Sequence, residues 1–120
     1  MLPNRMNLPK QVEEQLKKLK QYTGVTPNVA ARIAFFRSIE SGYRYQGGGR
    51  KLDGTLVLDK VTWLGETSQV TELMLQFEYP DLDDKESMKA WSAHVEDGIA
   101  NIRNSRSILE FVSFKKIGAS

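Results

Sequence analysis

The most chemically suggestive feature of this 120-residue chain is a comb of lysines, Lys10, Lys17, Lys18 and Lys20, with Arg50 and Lys51 following the glycine run Gly47 to Gly49. Ammonium groups strung along a helix can track a phosphate backbone without reading bases, and such binding weakens steeply as salt rises. Glu13 to Lys17 and Glu14 to Lys18 are i,i+4 pairs in the favourable order, so part of the comb can support the helix itself. Lys20 has no such partner, because Leu16 precedes it and Gly24 follows. The glycine run does not fit the G-x-x-x-x-G-K-[ST] phosphate loop. Residues 43–54 therefore read as a flexible basic loop, one that contacts polynucleotide phosphates or is simply solvated, with no apolar anchor before Leu52. Tyr22, Tyr43 and Tyr45 lie near this basic region, where core or interface packing is preferred over stacking on exposed bases.

Other chemistry finds little support. The acidic stretch Asp81-Leu82-Asp83-Asp84-Lys85-Glu86 lacks the glycine of a calcium loop, and acids at a helix start are explained by the helix dipole. The chain has no cysteine, which removes thiolate zinc sites, iron-sulfur ligation and any cysteine nucleophile or persulfide carrier. His94, the one histidine, falls beside Trp91 and Val95 on a helical phase with no nucleophile elbow nearby, so a packing or hydrogen-bonding role is expected. No catalytic residue, metal ligand or cofactor is assigned.

The formal net charge of +2 is unevenly distributed: +7 over residues 1–51, −8 over 52–100 and +3 over 101–120. The basic first block suits a polyanion, and the acidic middle can hold off non-specific binding or meet a basic surface on another chain. No basic-then-apolar leader opens the sequence, and its richest apolar stretch, Val29 to Phe36, is broken by Arg32. Neither export nor membrane insertion is expected, and the cytoplasm is the default.

Four helices must position these groups. After a short extended stretch at residues 5–8, Pro9 starts helix 9–23, with Val12, Leu16 and Leu19 on one stripe and Gly24 as its left-handed stop. Thr26-Pro27 opens helix 27–41, with Val29, Ile33 and Phe36 inward alongside Ala30, Ala34 and Ile39, and Gly42 closes it. The short link between the two makes a tight angular pair. Residues 55–58 and 61–64 suit a small hairpin or extended segment around Asp59-Lys60. Val70, Leu73, Met74 and Phe77 mark helix 67–78, ended by Pro80. Asp83 and Glu86 form a capping box for helix 84–104, whose stripe is Met88, Trp91, Val95, Ile99 and Ile102. The apolar tail from Ile108 to Phe114 suits either a short helix or a strand, with helix preferred. The expected fold is mainly α, a compact helical domain over residues 1–120, with a helix-turn-helix-shaped N-terminal helix pair and a candidate short β segment.

Leu19-Lys20-Gln21-Tyr22-Thr23-Gly24, then Thr26-Pro27-Asn28, Arg32 and Ser38, resembles the opening of the DNA sulfur modification protein DndE family. Trp63-Leu64-Gly65-Glu66 and His94-Val95-Glu96-Asp97-Gly98-Ile99 resemble its later signatures, and the likeness spans about residues 8–103. The chain departs from the pattern near Ala30 or Ala31, where the family usually carries cysteine, and at Asp97, where it usually carries a basic residue. The resemblance implies a small, helix-rich, tetramer-forming protein related to ribbon-helix-helix folds. It also implies a place in the machinery that replaces a non-bridging phosphate oxygen of DNA with sulfur. Binding of double-stranded DNA, with nicked duplex as a candidate form, and contact with other subunits of that complex follow from the same resemblance. The absence of cysteine agrees, since sulfur transfer needs a thiolate that this chain cannot supply.

The combined expectation is a non-catalytic DNA-binding component with Lys10, Lys17, Lys18, Lys20, Arg50 and Lys51 on phosphates. Asn28 and Arg32 read first as turn and packing groups, although Arg32 could pair with a carboxylate of a neighbouring subunit. The alternative is a protein-interaction adaptor that never touches DNA and docks its basic block on an acidic partner. A DNA-nicking enzyme would need a metal cluster or nucleophile that the sequence does not offer.

Overall fold

The computed structural model describes residues 1–103. Asn104 and the tail helix expected over 108–114 lie outside the described residues. The N-terminal arm runs extended as far as Pro9, whose φ of −58° and ψ of 146° make it the cap residue ahead of α1 (Lys10–Thr23), so the helix starts one residue later than expected. Helix α1 stops at Gly24 and α2 (Pro27–Ser41) at Gly42, both left-handed, with Thr26 extended before Pro27. Short helix α3 (Lys60–Leu64), a 3-10 turn (Gly65–Thr67), α4 (Ser68–Glu78) and α5 (Asp84–Ile102) follow. Asp83 Oδ1 accepts the Glu86 N–H at 2.8 Å, which fixes the start of α5 as the capping box requires. The fold is mainly helical, with one two-stranded antiparallel ribbon that pairs β1 (Arg5–Met6) with β2 (Leu58–Asp59).

The hairpin expected around Asp59-Lys60 does not form. Leu58 and Asp59 pair with the N-terminal arm instead, and residues 60–64 coil into α3 because Trp63 is drawn into the core. There its Nε1 donates to the Met6 carbonyl at 2.8 Å, and its ring meets Trp91 edge-on at 5.5 Å.

Helices α2 and α5 form the centre. The α2 face that packs is Ala30, Ala31, Ala34, Phe35 and Ser38, all fully or nearly fully buried. This corrects the expected stripe: Val29 is exposed, and Ile33 and Phe36 are only half-buried. The reason is close approach, since a Cβ on Gly98 of α5 would overlap the Ala34 carbonyl. Small residues let the two backbones meet beside Phe35, and Val29, Ile33 and Phe36 are rotated to the flanks. Trp91, Val95, Ile99 and Ile102 fill the α5 side as expected, and Val12, Leu16 and Leu19 of α1 are buried.

The apolar spacing in α4 has a different outcome. Its inward residues are Thr71, Glu72 and Leu75, whereas Val70, Leu73 and Phe77 are 44%, 64% and 80% exposed. Glu72 tolerates burial because its carboxylate accepts the Leu2 N–H at 3.0 Å and the Lys60 ammonium at 3.3 Å, tying arm, α3 and α4 together. Glu13 acts likewise for the 52–57 segment, accepting from the Thr55 and Leu56 backbone N–H groups and the Thr55 hydroxyl.

Replacing glycine by alanine inside a helix ordinarily stabilises it by about 1 kcal/mol. At position 98 the overlap with Ala34 reverses the sign, and Gly98→Ala is expected to destabilise the fold by about 1–3 kcal/mol in urea unfolding. A stabilised variant would show that the helices do not meet there.

Candidate nucleic-acid interface

The six cations expected to meet phosphates do not form one patch. Lys10, Arg50 and Lys51 line a shallow depression at the start of α1 together with Gln11, Glu14 and Asp53. Lys18 lines a second depression between α1 and the end of α5, and Gln11 and Glu14 border both. Lys17 and Lys20 are exposed but line neither.

Ion pairing sorts these groups further. Arg50 is tied by Nε to Glu96 at 2.6 Å, and Arg44 to Glu78 at 2.8 Å while lying over the Tyr79 ring. Arg5 meets Asp59 at 3.2 Å. Three of the eleven acids of residues 52–100 are thus spent on arginines of the basic first block. Lys17 has the Glu13 carboxylate 3.9 Å away, the first of the two expected helix pairs, whereas Glu14 and Lys18 form no ion pair. The side chains of Lys10, Lys18, Lys20 and Lys51 have no ion-pair or hydrogen-bond partner among the described residues. Asp53 caps α1 by accepting the Lys10 N–H at 2.8 Å, and that hydrogen bond holds its carboxyl below the ordinary value.

The glycine loop, expected to lack an apolar anchor before Leu52, is anchored by Tyr45, one of the tyrosines for which packing was the preferred role. Tyr45 is buried, its N–H donates to the Tyr79 hydroxyl at 2.8 Å, and its own hydroxyl donates to Glu86 at 2.7 Å. Burial, then the Glu86 hydrogen bond, pushes its phenol up to about 12. Tyr43 packs edge-on against His94, so both tyrosines are structural, while Tyr22 is 81% exposed.

Folding also brings Ser38 and Asp97 to His94, a triad of residue types that sequence spacing could not assemble. The Ser38 hydroxyl donates to Asp97 Oδ2 at 2.8 Å, so the 2.8 Å contact with His94 Nδ1 needs the proton on the ring. Nε2 then accepts from the Tyr79 hydroxyl at 2.7 Å, and that hydroxyl accepts from the Tyr45 N–H. Every group is satisfied, Ser38 has no exposed surface, and the ring nitrogen that would act as base is occupied. This is a buried clamp joining α2, α5 and the loop. Among the described residues no group of three or more His, Asp or Glu is placed to hold a metal ion.

The motif residues have structural work. Arg32 donates through Nε to the Trp63 carbonyl at 2.8 Å and through Nη2 to the Thr62 carbonyl at 2.9 Å, and Asn28 joins it on Thr62. Gly65 leaves room for that guanidinium, which a Cβ would press against.

The family model described as DNA sulphur modification protein DndE matches residues 5–110. The chain belongs to the DndE family. Its fold is similar to the crystal structure of DndE from Escherichia coli B7A involved in DNA phosphorothioation modification, at 68% identity and a TM-score of 0.83, over 86% of this chain and 100% of that one. A crystal structure of a DndE G21/24K mutant involved in DNA phosphorothioation is also similar, at 65% identity and a TM-score of 0.81 over the same shares. No curated protein matches the chain. No helix among the described residues is long and apolar enough to cross a membrane.

Burial holds His94 neutral, lowering its pKa to about 4, with Asp97 opposing and Arg44 adding to the shift. In the unfolded chain the imidazole protonates near 6.5, so stability falls as pH drops from there to about 4, by roughly 3 kcal/mol, and this contribution is flat below. Chemical denaturation across that window should show the decline in the native protein and lose it in His94→Gln. An unchanged pH dependence in the variant would contradict the assignment.

Proposed function

We propose that this chain is a non-catalytic DNA-binding component of a DNA phosphorothioation system, as its DndE relatives are named for that modification. The observation that carries the reading is the sorting of charge: Arg5, Arg44 and Arg50 are paired within the fold, while Lys10, Lys18 and Lys51 stand unpartnered beside adjoining depressions along α1. Fourteen helical residues span about 21 Å, the axial length of about six base-pair steps of a duplex. Lys17 and Lys20 add flanking charge, and Arg50 contributes only by exchanging Glu96 for phosphate. Nicked duplex is the preferred form, because a break lets the strand bend along the helix. A homotetramer joined through the exposed Val70, Leu73 and Phe77 stripe of α4 would multiply this modest patch, raising avidity a hundredfold or more.

Fluorescence anisotropy with intact and nicked duplex at several salt concentrations tests this. Affinity should fall steeply with salt, and Lys10→Ala, Lys18→Ala and Lys51→Ala should each flatten the log-log slope by about 1, with Arg50→Ala doing less. Unchanged binding by the triple lysine variant would refute the site.

The α4 stripe also favours a second reading, an adaptor that meets another subunit of the modification complex without touching DNA. Light scattering of Leu73→Asp/Phe77→Asp separates the two. A fall in mass marks self-association, whereas unchanged mass with loss of subunit capture marks the adaptor.

A further inference from the structure

The depression between α1 and the last turn of α5 encloses ≈ 430 Å³ and has an apolar floor of Leu19 and Ile99. Tyr22 stands on its rim with 81% of its surface in water and neither a ring nor a hydrogen-bond partner among the described residues. Lys18, one helical turn earlier, and Arg103, from beyond α5, bring two cations to the same depression, and Gln11 and Gln15 bring two amides. Glu14 is the one acid, able to accept from an exocyclic amine. A ring face, amides that both donate and accept, and two cations form the complement of a nucleotide: base face, base edge and phosphate.

We propose that this depression receives one unpaired nucleotide of a DNA strand, its base stacked on Tyr22, its edge reached by Gln11 and Gln15, and its phosphate held by Lys18 and Arg103. The assignment rests on the DNA-binding reading above and adds the ligand of this subsite. A base paired and stacked in intact duplex cannot offer its face to Tyr22. The subsite therefore selects strands with a frayed or extruded nucleotide, while the Lys10 and Lys51 end of α1 continues along the paired backbone.

The test compares three DNAs of identical sequence by anisotropy at fixed salt: an intact duplex, the same duplex with one extrahelical adenine, and the same bulge with an abasic sugar. The native protein should bind the adenine bulge about tenfold more tightly than either control. Tyr22→Ala should lose that preference while keeping its affinity for intact duplex, and Tyr22→Phe should retain it. Equal affinity of the native protein for the adenine and abasic bulges, with duplex binding intact, overturns the inference alone. No binding to any DNA at low salt removes the DNA-binding reading as well. A change in assembly mass in Tyr22→Ala would assign the ring to a subunit contact and also overturn the inference.

Discussion

The contact of Gly98 with the Ala34 carbonyl sets the distance between α2 and α5, and most of the remaining geometry follows from that distance. It places Ser38 against His94 and Asp97, and it leaves Val29, Ile33 and Phe36 of α2 on the flanks. From His94 the hydrogen-bond chain passes to Tyr79 and then to the Tyr45 backbone, so a helix-helix contact also fixes the loop that carries Arg50 and Lys51. A residue set that looks catalytic in composition thus acts as a fastener: its polar atoms face one another and its base nitrogen is engaged.

Charge is organised by the same folding. Three arginines of the basic first block, Arg5, Arg44 and Arg50, are held by Asp59, Glu78 and Glu96 from the acidic middle, and buried Glu13 and Glu72 hold backbone and Lys60. Arginine suits fixed pairing because its planar fork loses little freedom per hydrogen bond, whereas lysine remains a mobile, hydrated point charge. The division of labour within the chain follows that difference, and the lysines of α1 are left to face solvent.

Much of this was legible in the sequence. Pro27, Gly24, Gly42 and the Asp83-Glu86 pair mark helix ends by local chemistry, so the helix limits are recovered within one or two residues. Phase was harder. The α2 face is chosen by small residues that admit a neighbouring backbone, and a hydrophobic stripe weighs alanine below valine and phenylalanine. In α4 Val70, Leu73 and Phe77 face outward, because the inward positions belong to Leu75, to Thr71, bonded one turn back to Thr67, and to Glu72, whose partners Leu2 and Lys60 lie far off in the chain. Residues 60–64 curl because Trp63 seeks Met6 and Trp91, a long-range contact that no local pattern carries. At the candidate interface the lysines were found by type and spacing, but the capture of Arg50 by Glu96, the burial of Tyr45 and the exposure of Tyr22 depend on tertiary neighbours.

The central claim is that folding pairs Arg5, Arg44 and Arg50 internally and leaves the α1 lysines, with Lys51, to meet DNA. Quantitative amine labelling of the native protein, with and without saturating nicked duplex, tests it most directly by reading every lysine at once. The account predicts that DNA protects Lys10, Lys18 and Lys51 strongly and Lys17 and Lys20 partly, while Lys60, held by Glu72, and Lys89, paired with Glu86, react equally in both states. Protection confined to Lys60 or Lys89, or no protection under conditions of measured binding, would contradict it.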